Sequence, residues 1–273
     1  MLSGSLTNHD LFVLEKINDP ESGPSALLLI DSSLPRDPYI SEDTLYQTII
    51  QSERSIISSI QQIELQIAGL KPMITSESPL SQYLSCVKSL DELIETYPKY
   101  ASARNNRAQA LRRIYGDGIL VKGIAKSLPE EAEPLSPLAS DQALISASNT
   151  ILSDLTIAIS LLTPSNPFSP LSPQAAKTLS QAYTQRGAIY HLTAKHLSHN
   201  GAGLRIDPSR KEAAWKTVDF EENASRDFMM GGRYGNEIAK ALAVSTNPTA
   251  KLCGEMVREA MRKEYAGGGD GTA

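Results

Sequence analysis

Three histidines fall close together in the second half of the chain, His191, His196 and His199, and two cysteines stand far apart at Cys86 and Cys253. Imidazole and thiolate are zinc ligands, and a structural zinc gathers four of them, with nitrogens at about 2.0–2.1 Å. On a helix, His191 and His199 stand about two turns apart while His196 points elsewhere, so no ligand set converges. These read as exposed histidines at a helix end, and the cysteines as buried thiols packing like small apolar residues. The sequence has no G-x-S-x-G, no P-loop, no G-x-G-x-x-G and no H-E-x-x-H. It therefore offers no recognisable activated nucleophile, phosphate cradle or metalloprotease motif. Gly231-Gly232 follows a helical pattern rather than a strand and reads as a helix stop. The expectation is a chain that is not an enzyme and holds no cofactor and no metal.

Binding chemistry is better represented. In the segment ASARNNRAQALRR, Ser102, Asn105, Asn106, Gln109, Arg112 and Arg113 share the exposed arc of a helix. Asparagine and glutamine amides offer both donors and an acceptor and can hold a peptide backbone. Arg112 and Arg113 can pair with acidic side chains or a terminal carboxylate. A merely solvated face is the alternative, since Asn and Arg are mostly exposed residues. Trp215, Phe228, Met229 and Met230 lie at helical spacing and read as core.

These side chains need a scaffold, and the composition supplies one. With 41% hydrophobic residues in 273 the bulk of the chain folds. With 26 Lys+Arg against 31 Asp+Glu, a net charge of -5, it is not built to hold nucleic acid. The longest aliphatic run, Leu27 to Ile30, is far short of the roughly 20 residues of a membrane span. No signal peptide pattern opens the chain. The expected setting is cytoplasmic, with the nucleus also compatible.

Helical spacing dominates. Residues 1–42 form an N-terminal arm, with a short helix over Asp10 to Ile17 and then a Pro-containing stretch. Helices follow from about Ser41 to Gly69, with Leu45, Ile49, Ile56, Ile60, Ile63 and Ile67 in phase, from Ser78 to Thr96, and from Lys99 to Tyr115. A loop near 116–140 comes next, with three acids and two prolines in Leu128 to Pro134. Helices resume over Ser140 to Leu162, Gln174 to Leu197 and Pro208 to Met230, a second loop lying near 197–212. Two shorter helices, Asn236–Val244 and Pro248–Tyr265, close the domain at 265, leaving a tail at 266–273. Asn247-Pro248 is a cap followed by a first-turn proline. Strand signals are nearly absent.

The helix pairs match the tetratricopeptide pattern of two helices in 34 residues with small and large positions at fixed offsets. Cys86, Leu90, Leu93 and Pro98 fit the second helix of a first repeat. Ala108 with Leu111, then Ile151, Leu155 and Ala158, fit a second. Tyr183, Gly187 and Tyr190, then Ala224, Phe228 and Gly231, fit a third. The fold class is all-α: an α-solenoid of three tetratricopeptide-like helix pairs with C-terminal capping helices over 43–265. In such arrays the first helices of each pair line a concave groove, here with Asn105, Asn106, Gln109, Arg112, Arg113, Gln185 and His191. The two inserted loops would fold over this groove or lengthen its wall.

Four segments carry a resemblance: HDLFVLEKINDP, ASARNNRAQA, the Asp154 and Asp227-Phe228 positions, and GNEIAKALAVSTNPTAKLCGEM. In them the chain resembles the tetratricopeptide repeat protein 36 family. The resemblance implies a non-catalytic protein-interaction scaffold, with a peptide segment or a chaperone such as Hsp70 as partner and a co-chaperone role. As the alternative, it implies a link to tyrosine metabolism, as a regulator that binds and protects a metabolic enzyme. Chaperone-binding repeats of this type hold an acidic C-terminal tail in a carboxylate clamp. The clamp's second-repeat asparagine matches Asn106, while its third-repeat Lys and Arg fall on Gln181 and Gln185, which cannot form charge-assisted bonds to a carboxylate.

Overall fold

The computed structural model describes residues 30–72, 76–122, 133–166, 169–200 and 202–267. Eight α-helices stand among them: α1 (Asp43–Ile67), α2 (Pro79–Thr96), α3 (Ala101–Tyr115), α4 (Asp141–Leu162), α5 (Pro173–Asn200), α6 (Thr217–Arg233), α7 (Glu237–Thr246) and α8 (Pro248–Gly267). The expected helix at Asp10 to Ile17 and the acidic stretch around Leu128 lie outside the described residues.

Local chemistry sets the boundaries. Side chains of Ser78, Ser140, Ser172, Asn236 and Asn247 each accept a backbone N–H from the first turn of the helix that follows, satisfying donors the helix leaves open. Gly69 ends α1 and Gly116 ends α3 at φ of 70° and 83°, a conformation glycine adopts without a Cβ clash.

Consecutive helices pack as antiparallel neighbours, α1 with α2, α3 with α4, and α5 with α6, and α7 covers the last pair. The main core lies between the second and third pairs and buries Ile151, Leu155, Leu179, Ile189, Phe220 and Phe228. The first pair packs through two smaller clusters around Ile49, Leu90 and Tyr100 and around Ile63, Tyr83 and Ile114. Each pair alone would leave an apolar face in water, so stacking creates the core. The all-α helical-repeat class read from the sequence is the observed one. By length and hydropathy α4 would pass as a membrane span, yet half of that window is buried inside the fold, as befits a core helix.

In the third pair, the Phe228 ring packs where a Cβ on Gly187 would stand only 3.1 Å away, so the small residue of one helix receives the large residue of the next. The chain also departs from expectation. The helix expected from Pro208 begins only at Thr217, after a 3-10 turn at Lys211–Ala214. Gly231-Gly232 does not stop it, since α6 runs to Arg233. The two glycines instead let α7 approach, a Cβ on Gly232 falling 2.8 Å from Lys240 Cα. The stop comes later, at Gly235 with φ 101°. Helix α5 runs three residues past Leu197, and His196 on it is fully buried rather than exposed. Of the two thiols Cys86 is buried and Cys253 exposed. Met229 is also exposed, outside the core its spacing suggested.

Gly116 and Asp117, at the start of the first inserted loop, stand in the lining of the groove described below, and the described parts of the two loops also meet. They pair with each other as antiparallel strands β1 (Val121–Lys122) and β2 (Gly203–Leu204). Arg205 fastens the clasp, its backbone N–H donating to Leu120 O and its guanidinium to Ile119 O. The end of the N-terminal arm is likewise packed. Ile30 bridges Leu171, Ser172 donates to Arg36 O, and Ile40 joins the first-pair core. Residues 30–40 thus strap the start of α5 to the start of α1.

Candidate concave binding face

Helices α1, α3 and α5 are the first members of the three pairs, and clefts lie between them. Between α3 and α5 lies a groove of about 720 Å³ lined by Gln109, Arg112, Arg113, Gln181, Gln185, Ala188 and His191, with Lys195, Asn236 and Leu242 along the far wall. Five of the seven expected site residues, Gln109, Arg112, Arg113, Gln185 and His191, therefore line one groove.

Asn105 does not belong with them. It is 1% exposed, turned into the α3–α5 contact, where Gln185 Nε2 donates to its Oδ1 at 2.8 Å and its own amide reaches Gln181 Oε1 at 3.4 Å. The expected exposed arc was drawn too wide, because α5 packs against the edge of α3 that carries Asn105. Asn106 opens on a second cleft, beside α1, and its Nδ2 donates to Glu53 Oε1 at 2.7 Å.

The arginines are spoken for within the chain. Arg112 makes a two-bonded pair with Asp117, 2.7 and 2.8 Å, and reaches Gln185 Oε1 at 3.1 Å. Arg113 pairs with Glu64 at 2.8 Å and donates to Glu133 O. Gln109 and Gln181 remain exposed. His191 sits edge-on to Phe228 with centroids 6.2 Å apart. Thr184 Oγ1 accepts from Asn236 and donates to Ser180 O. The groove thus combines neutral amides and apolar side chains with two arginines that are internally matched. It suits main-chain peptide groups better than an anionic tail. At the clamp position, Glu53 already occupies the donor of Asn106 that a peptide carboxylate would use.

Ion pairs within repeats tie together the helices around this face. Arg107 on α3 holds Asp154 on α4 with bonds of 2.6 and 2.7 Å, and Arg104 adds a third at 3.0 Å. At the equivalent place in the next pair, Arg186 on α5 holds Asp227 on α6 at 2.7 and 2.9 Å. Burial raises the Asp227 carboxyl despite the opposing pull of Arg186.

Sequence reasoning missed Asp37 and Glu53. Glu53 is 6% exposed and accepts the Tyr100 hydroxyl at 2.5 Å as well as the Asn106 amide. Burial, reinforced by the Glu53 charge, lifts the Tyr100 hydroxyl well above the ordinary phenol range. Asp37, 5% exposed, accepts the Tyr39 N–H at 2.8 Å. Burial first, and Glu53 next among the raising effects, push its pKa up to about 6. A signal for Glu53 existed: it stands four residues after Ile49, in phase with the buried stripe of α1.

Stacked helix pairs with clefts between their first helices define a helical-repeat protein. No family model and no solved structure matches the chain. It is 38% identical over 272 residues to the L-tyrosine degradation gene cluster protein hmgX of Aspergillus fumigatus, across 96% of this chain and 94% of that protein. The chain belongs to that protein's family. It is also 26% identical over 179 residues to tetratricopeptide repeat protein 36 of Xenopus tropicalis, across 66% of this chain and 56% of the frog protein.

Proposed function

We propose that this chain is a non-catalytic cytoplasmic protein that binds and protects an enzyme of L-tyrosine breakdown, holding an extended segment of it in the α3–α5 groove. The observation that carries the reading is the groove itself: about 720 Å³, with exposed Gln109 and Gln181 on facing helices. Amides at such spacing bond a peptide backbone without demanding a charge. The choice of partner rests on the family, whose Aspergillus member is named for an L-tyrosine degradation gene cluster. A chaperone tail has less to recommend it, since Arg112 and Arg113 are paired internally and positions 181 and 185 are neutral.

The test is binding of each purified enzyme of L-tyrosine breakdown, and of Hsp70, to the full chain and to a variant with Ala188→Arg and Leu192→Glu, which fills the groove. One such enzyme should bind, and the variant should bind it at least roughly tenfold more weakly. Binding of Hsp70 alone, of no enzyme, or equal binding by the variant overturns the reading.

A further inference from the structure

We propose that the second cleft, between α1, α3 and the start of α5, binds a small zwitterion: a free α-amino acid with a large apolar side chain. The site adjoins the α3–α5 groove, sharing Gln181 with it, but its ligand chemistry stands or falls independently of the partner assigned to that groove.

The cleft encloses about 390 Å³, within the range of small-molecule pockets. Its floor holds two buried carboxylates, Asp37 and Glu53. Neither is in any of the salt bridges among the described residues, which run between other partners. A buried carboxylate without a cation is unfavourable. Glu53 uses its bonds from Tyr100 and Asn106, and a carboxylate has about four acceptor positions, so capacity remains for a primary ammonium.

The opposite charge is on the exposed part of the lining. Arg54 and Lys177 line the cleft, are exposed, and pair with no acid among the described residues. Arg36 also lines it, but its guanidinium lies over the Tyr46 ring at 5.6 Å from the centroid. The lining also carries apolar Ile50, Ile57 and Leu162, beside polar Gln61, Gln174 and Thr178. An ammonium placed at the two acids and a carboxylate at the exposed cations answer both sets of charges at once, leaving an apolar side chain for the apolar part of the lining. A simple amine leaves Arg54 and Lys177 unanswered, and a simple acid brings a third negative charge toward Asp37 and Glu53.

Titration calorimetry of the full chain near neutral pH can use L-phenylalanine, phenethylamine and N-acetyl-L-phenylalanine as probes. L-phenylalanine should bind, and the other two, each lacking one charge, at least roughly tenfold more weakly. Glu53→Gln and the surface change Arg54→Gln should each weaken L-phenylalanine by a similar factor. Circular dichroism checks that both variants keep the fold, and Arg54→Gln touches no core residue. The Ala188→Arg, Leu192→Glu variant should bind L-phenylalanine normally. No binding at millimolar concentration overturns the proposal. Equal binding of either one-charge probe, or unchanged binding by Arg54→Gln, does the same.

Discussion

Asp37 makes stability depend on pH in a direction opposite to that of most carboxylates. Burial, with Glu53 adding repulsion against the pull of the Tyr39 N–H, raises its pKa from 3.8 to about 6. Between those values the folded chain keeps a proton that the unfolded chain has released. Stability therefore falls as pH rises through this window, and above about pH 6 the folded state carries the full cost of a buried charge. A shift of about two pH units corresponds to about 3 kcal/mol, or about 2 kcal/mol after allowing for water that reaches the cleft. Asp37→Asn removes the charge while its side-chain oxygen can still accept the Tyr39 N–H. The variant should be more stable than the parent by about 2 kcal/mol at pH 8, a gain that fades below about pH 4. Urea unfolding followed by circular dichroism at both values measures it. A variant destabilised by the same amount at both pH values would refute the reasoning.

Two further predictions concern packing. Gly232→Ala should cost about 1–3 kcal/mol, read as a lower melting temperature, because its Cβ would meet Lys240 backbone at 2.8 Å. Removing one partner of the Arg186–Asp227 pair, as in Asp227→Ala, should cost about 3–5 kcal/mol by stranding a half-buried guanidinium. The double change Arg186→Met with Asp227→Leu should cost far less, which a comparison of denaturant midpoints resolves.

Much of the architecture was legible because it is written in short-range chemistry. Ser78 with Pro79, Ser140, Asn236 and Asn247-Pro248 mark their helices directly, and Gly116 marks the end of α3. What escaped depended on contacts distant in sequence. Asn105 and Asn106 are neighbours of one residue type, yet α5 buries the first and α1 engages the second. Gly231-Gly232 has the same composition whether it ends a helix or admits a crossing one, and only the position of Lys240 decides. The clasp of Val121-Lys122 with Gly203-Leu204 joins segments too short to alternate visibly. Of the binding face, the residue types on α3 and α5 could be read, whereas the internal acids Asp117, Glu64 and Glu53 that neutralise or occupy them could not.

The strap at 30–40 and the clasp between β1 and β2 also change how the molecule comes apart. An open stack of repeats touches only its neighbours, so it can fray from either end, one unit at a time. Here the chain before α1 is fastened to the start of α5, and the segment after α3 to the segment after α5. Opening the first helix pair disturbs the third, and opening the third releases the second. The strap and the clasp thus couple the three pairs to one another, while the exposed helix α8 lies outside both ties.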